Sequence, residues 1–311
     1  WQLAMRSKSP YGPYEWKRVL ERGKTTMNGP HQGGWIHTKY GEDWFIHFQD
    51  KGPYGRVCHL QPVDWSSGWP VMGNAGEPYW KFRKPKSDSK TIVNPVETDE
   101  FDSSKLGMQW QWQNDYKESY GQATSMGFFR LFTYALPELG DVSNLWYVPN
   151  MLLQKTPADE FTATTKLSFC SRNSDQYVGL VCMSAEYSSV GLQRTEDGYE
   201  LQIRHNPNAM RTHLTDEVLT VDTLKPTQKG TPRKGRPAEM HIKDVYLRMS
   251  IKDSKVNYAY SIDGKKWKKA GGEYAMGKGR WIGSKIGFFA VDPNKTGRKG
   301  FIDIDWFRIS R

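Results

Sequence analysis

The sequence predicts an all-β protein in two parts: a short meander of the kind that builds propeller blades, then a two-sheet antiparallel sandwich. Three observations lead there. The 311 residues are 14% aromatic, with 13 Trp and 16 Tyr, and a core of aromatic and β-branched side chains suits sheets. No 11-residue window gives a convincing apolar stripe at i, i+3, i+4 and i+7. Short strand-like runs recur instead, separated by turns that draw on 29 Gly and 17 Pro.

The first part covers residues 1–80. Its runs are 3–6, 34–38, 44–49 and 56–61, separated by Tyr11-Gly-Pro13, Lys39-Tyr-Gly-Glu42 and Asp50-Lys-Gly-Pro-Tyr-Gly55. Runs of this length at a spacing of about ten residues suit a meander. Residues 81–98 are polar, charged and Pro-containing, and read as a linker. The second part covers residues 99–311. Its candidate strands are 108–113, 127–133, 161–169, 178–183, 190–194, 199–204, 246–252, 256–261, 285–291 and 301–309. The last alternates cleanly: Phe301, Asp303, Asp305 and Phe307 on one face; Ile302, Ile304, Trp306 and Arg308 on the other. Asp263-Gly264 supplies a hairpin turn. So many antiparallel strands need a second sheet to cover the first.

The length suits two domains. No apolar run reaches the ~18 residues of a membrane span, so a soluble chain without a membrane partner is expected. The chain opens inside a strand-like run, Trp1-Gln-Leu-Ala-Met5, which leads us to expect preceding chain. Three Cys (Cys58, Cys170, Cys182) make no disulfide framework. A Cys170–Cys182 pair is conceivable, but free thiols are the simpler reading. Net charge is +10, concentrated in residues 225–243 and 265–285. These basic stretches show no helical face and no nucleic-acid-binding motif, so they read as solvated loops rather than a nucleic-acid surface.

The motifs then point to a family. Met5-Arg-Ser-Lys-Ser-Pro-Tyr-Gly-Pro-Tyr-Glu15, Asn28-Gly-Pro-His-Gln-Gly-Gly-Trp-Ile36, Trp44-Phe-Ile-His-Phe-Gln-Asp50 and Gly55-Arg-Val-Cys-His-Leu-Gln-Pro-Val-Asp-Trp-Ser-Ser-Gly-Trp-Pro-Val71 resemble, in order, the end of the catalytic domain of glycoside hydrolase family 43, the β-xylosidase and α-L-arabinofuranosidase type. Asp99-Glu-Phe-Asp102 and Leu106-Gly-Met-Gln-Trp-Gln-Trp112 resemble the start of its appended concanavalin-A-like (jelly-roll) sandwich. The resemblance implies the last blades of a five-bladed propeller and inverting hydrolysis of non-reducing-end xylose or arabinose in plant-polysaccharide oligosaccharides. It also implies a secreted or periplasmic enzyme. Inversion needs a general acid and a general base about 6.5–9.5 Å apart, with a water between, and here a third carboxylate that tunes the acid.

In the family these three carboxylates precede the Arg-Ser motif, so no catalytic residue is assigned within this chain. Preceding blades must supply them. Glu15, Asp43, Asp50 and Asp64 map to turns and strand ends and read as structural. The resemblance makes His31 a ligand of a hydrated calcium ion at the propeller axis; Gln32 beside it reads as a partner of that histidine and is grouped with the substrate-binding residues. It makes Arg56 a substrate-binding arm, and Trp281 an aromatic loop residue closing the sugar pocket. Composition alone makes one His a weak calcium site. His37, His47 and His59 lack zinc-site spacing and read as strand histidines. Two rivals remain: a non-catalytic glycan-binding sandwich, and a polyanion-binding surface.

Overall fold

The computed structural model describes every residue except 137–143, 211–213, 280 and 296. The chain forms two compact units: Trp1–Asn94 with Arg280–Ile282, and Pro95–Gly279 with Gly283–Arg311. The stretch 81–98 therefore divides at Asn94 between the two units, and Tyr79 and the residues after it pack on the first.

In the first unit, β1 (Gln2–Arg6) and β2 (Glu15–Leu20) form a hairpin. Next come β3 (Gly34–His37), β4 (Asp43–Asp50), β5 (Arg56–Asp64) and β6 (Val71–Met72), which pair in that order as an antiparallel four-stranded sheet. Val19, Leu20, Phe45 and Met72 make a small core, with Ala4 and Val63 against it. Glycine is required at Gly33, where a Cβ would lie 2.1 Å from the Ile46 carbonyl and 2.4 Å from the Phe45 ring. Glu42 holds residues 83–86 against the sheet: it accepts from Arg83 Nη1 at 2.6 Å, from the Lys86 amide at 2.8 Å and from Trp44 Nε1 at 3.3 Å. The Lys86 amide, more than Arg83, holds the Glu42 carboxyl below the usual range.

The second unit is a sandwich. Its strands are β7 (Gln111–Trp112), β8 (Gly121–Ala123), β9 (Phe129–Phe132), β10 (Tyr134–Ala135), β11 (Leu152–Lys155), β12 (Phe161–Ser171), β13 (Tyr177–Met183), β14 (Tyr187–Arg194), β15 (Tyr199–Asn206), β16 (Glu217–Leu224), β17 (Gln228–Lys229), β18 (Met240–Lys252), β19 (Lys255–Ser261), β20 (Lys268–Ala275), β21 (Lys285–Asp292) and β22 (Phe301–Ser310). One sheet runs β16-β15-β14-β13-β21-β11-β7, with β10 added on β21. The other runs β20-β19-β18-β12-β22-β9-β8, with β17 added on β18. An aromatic cluster joins them. Trp110 lies 5.9 Å from Phe288 of the first sheet and 5.3 Å from Phe307 of the second, with Phe101 at 5.6 Å. The buried Trp110 Nε1 donates to Asp99 Oδ2 at 2.7 Å.

β13, β14 and β21 are buried along almost their whole length. One face packs on the second sheet. On the other, Tyr177, Val181, Met183, Tyr187, Phe289 and Val291 are covered by Leu136, Leu145, Val148, Met151 and Ala209. The crevice left among Tyr177, Ser189, Gln193, Gln202, Arg204 and Phe289 encloses about 10 Å³, too little for a sugar.

Three sequence expectations are corrected. The alternation in 301–309 slips: Lys166 faces Trp306 but Leu167 faces Ile304. This bulge puts Phe307, not Trp306, on the core side with Ile302 and Ile304. β16 lies where no strand is expected, because it is an exposed edge strand without apolar alternation. The basic stretches are not wholly loop: residues 265–285 contain β20, and 225–243 contain β17 and the start of β18. Asp244, with φ +55°, interrupts the period there. All three cysteines are free, with Cys170 on β12 and Cys182 on β13, in different sheets.

Candidate functional site

The register of β4 and β5 sorts the first unit's sheet into two faces. Phe45 stands opposite Gln61, His47 opposite His59 and Gln49 opposite Val57. That face is closed by its own chain. Gln61 exchanges hydrogen bonds with the Tyr79 backbone at 2.7 and 3.2 Å, Gln49 donates to the Thr26 carbonyl at 3.0 Å, and His59 meets Gln49 at 3.1 Å. The stacked rings of His47 and His59 are 5.5 Å apart. Burial pushes both imidazoles below their usual pKa.

The opposite face carries Trp44, Ile46–Leu60, Phe48–Cys58 and Asp50–Arg56 as successive cross-strand rows. Phe82 and Arg83 cover Trp44. Beyond it Ile46, Leu60 and Cys58 are exposed, as is Ile36 on β3.

Arg56 ends this apolar row. Its guanidinium carbon sits 4.1 Å from the centre of the Phe48 ring and 5.2 Å from that of Trp281. Its amide donates to the Trp281 carbonyl at 2.7 Å. Two aromatic faces thus frame a cation and restrict its rotamers. Arg56 Nε is buried and has no acceptor among the described residues. A guanidinium donor left unspent in a half-buried position is costly unless something accepts from it.

Trp281 adopts φ +53°, an unusual conformation for a bulky residue, and the residue is 66% exposed. His31 meets the same Phe48 ring edge-on, centroids 5.2 Å apart. The structure therefore brings His31 and Arg56 onto the Phe48 ring, with Trp281 on Arg56. Gln32 is exposed with φ +54° and makes no contact with His31 or Arg56 among those described. Phe48 escaped the sequence reading. Its only signal is that it lies in phase with Ile46 rather than with His47 and Gln49.

The carboxylates of this unit are engaged locally. Glu15 pairs with Arg6 at 2.8 Å. Asp43 accepts from Trp35 Nε1 at 2.9 Å and meets His37 at 2.8 Å; the His37 bond, foremost, holds it below the usual range. Asp64 caps Ser66 at 2.9 Å. Asp50 faces Arg56 across the ladder, but its carboxylate accepts from the Gly52 amide at 3.0 Å. No pair of free carboxylates flanks Arg56 among the described residues. Calcium asks for six to eight oxygen ligands. Among the described residues His31 belongs to no group of three or more His, Cys, Asp or Glu side chains, so any calcium beside it would need oxygens from other sources.

Residues 98–310 match the family described as the beta xylosidase C-terminal concanavalin A-like domain. The chain belongs to this family. Residues 2–70 match glycosyl hydrolases family 43. A protein of Xylanibacter ruminicola with a provisional β-xylosidase name is 32% identical over 294 residues, 92% of this chain and 49% of its own length. A Formosa agariphila protein named beta-xylosidase is 29% identical, over 98% of this chain and 52% of its own length. A solved family 43 structure from Bacillus licheniformis superposes with a TM-score of 0.77 at 25% identity, over 98% of this chain and 59% of that one. The chain spans about half the length of the curated relatives it matches.

Proposed function

We propose that this chain is the C-terminal part of a family 43 glycosidase, which removes xylose or arabinose from the non-reducing ends of oligosaccharides by inversion. In this reading Arg56 is the substrate-binding arm and the acid–base carboxylates come from residues outside these 311. The observation that carries it is Arg56, whose Nε lacks a partner among the described residues and whose guanidinium lies between Phe48 and Trp281; the motif resemblance gives it the role of sugar-binding arm. The relatives bear β-xylosidase names, and a Bacteroides ovatus relative is named a non-reducing end α-L-arabinofuranosidase.

The chemistry follows from the donor set. A guanidinium has five N–H donors and accepts nothing. It can donate to sugar hydroxyls and to a carboxylate together, fixing the ring against the catalytic pair. The exposed indole of Trp281 offers an apolar face to the C–H side of a pyranose. A general acid then protonates the leaving oxygen while the base draws a proton from a water on the opposite face. The open row of Ile36, Ile46 and Leu60 supports the same reading: a sheet face this apolar is suited to cover by further chain.

The test uses the longer protein and nitrophenyl β-D-xylopyranoside and α-L-arabinofuranoside. Arg56→Ala lowers kcat/KM by roughly 10²- to 10³-fold, the scale for losing one aimed donor, with the thermal transition unchanged. Values within about threefold of the parent on both substrates would reject Arg56 as a binding arm.

A further inference from the structure

Away from the first unit, the sandwich holds a second cluster of chemically capable side chains. Cys170, near the end of β12, stands directly opposite His241 of β18. Cys170 Sγ lies 3.4 Å from His241 Nε2, which is 2.9 Å from Glu239 Oε1. The three donor atoms all fall within 4.8 Å of one another. The other Glu239 oxygen accepts from Arg172 Nε at 2.8 Å. Cys170 is buried, while His241 and Glu239 are partly exposed and leave a way in.

A nucleophilic dyad is the first alternative, and the geometry excludes it. The thiol and the carboxylate approach the same imidazole nitrogen, whereas a relay needs the carboxylate on the other one. Burial, with Glu239 adding to it, pushes the Cys170 thiol up to about 12, the reverse of an activated cysteine.

We propose that Cys170, Glu239 and His241 are three ligands of a zinc site that ties β12 to β18 at one end of the second sheet. Zinc bonds of about 2.3 Å to sulfur and 2.0–2.1 Å to nitrogen or oxygen put tetrahedral donors about 3.3–3.6 Å apart. The cysteine–histidine spacing is already in that range, and the glutamate needs to retreat by about half an ångström. A thiolate and a carboxylate balance the ion's charge, and the mixed S, N, O set favours zinc over calcium or magnesium. Arg172 fixes the carboxylate from behind, as outer partners of metal ligands do. On binding, the Cys170 S–H bond breaks, sulfur keeps the electron pair for zinc, and one proton leaves to solvent. Water takes the fourth position.

The test is an anaerobic cobalt titration of the reduced, untagged chain, cobalt reporting for zinc. A thiolate-to-cobalt charge-transfer band saturates at one equivalent and disappears when zinc is added. Cys58→Ser keeps the band and Cys170→Ser abolishes it. Glu239→Gln, a substitution at a half-exposed position that spares the fold, weakens zinc binding at least about tenfold. Zinc also raises the Tm of the parent but not of Cys170→Ser. Absence of the band, its survival in Cys170→Ser, or zinc affinity unchanged by Glu239→Gln would overturn the site.

Discussion

The two units solve the same problem differently. The sandwich covers both faces of β13, β14 and β21, one with its second sheet and one with residues such as Leu145, Val148 and Met151. The four-stranded sheet covers one face with Thr26 and Tyr79 and leaves the other bearing Ile46, Leu60 and Arg56. A β-sheet gains its stability from burial on its faces. The sandwich is therefore the self-sufficient element. Buried side-chain atoms without a partner among the described residues occur in both units, Arg56 Nε in the first and Arg194 Nε in the second; Arg56 differs in bordering the exposed row of Ile46 and Leu60, and that is where function is sought.

Substitutions separate the two most sharply in the core. Phe307→Ala in the sandwich removes a fully buried ring and costs about 3–5 kcal/mol by denaturant unfolding; a loss below about 1 kcal/mol would break the contrast. Gly33→Ala drives a methyl against the Ile46 carbonyl and destabilises the first unit by about 1–3 kcal/mol, leaving the sandwich transition in place. Acid acts next. The folded-state pKa values of His47 and His59 lie below the ordinary 6.5, so between those values and 6.5 the unfolded chain binds more protons. Stability of the first unit therefore rises with pH through that window and falls on acidification below about pH 6.5. His47→Asn flattens that slope in a melting series, and an unchanged slope would exclude His47 as its source. Ile46→Ser has the smallest effect, within about 0.5 kcal/mol in this chain. In the longer protein it costs about 2 kcal/mol or more if that face is covered, and equal costs in both would mean the face stays open.

Much of this architecture is legible in the sequence, because turn residues and short apolar runs mark strands locally. Arg56 and His31 are legible through their motifs, and the structure gathers them on one ring. What escapes depends on register. The bulge beside Trp306 moves Phe307 into the core by a one-residue phase shift that no local pattern announces. β16 and β20 escape because edge strands need no apolar alternation. Phe48 and the Cys170–His241 pair are defined by cross-strand neighbours far away in sequence. Gln32 sits in the right motif, yet no contact with Arg56 is among those described, and its backbone is left-handed.

The most direct measurement is hydrolysis of nitrophenyl β-D-xylopyranoside by the purified 311-residue chain under conditions where its thermal transition shows it folded. Chain holding the arginine arm without its carboxylate pair gives no turnover above the uncatalysed rate. Turnover by this chain alone, abolished in Arg56→Ala, would contradict the claim that the acid–base half of the site lies elsewhere.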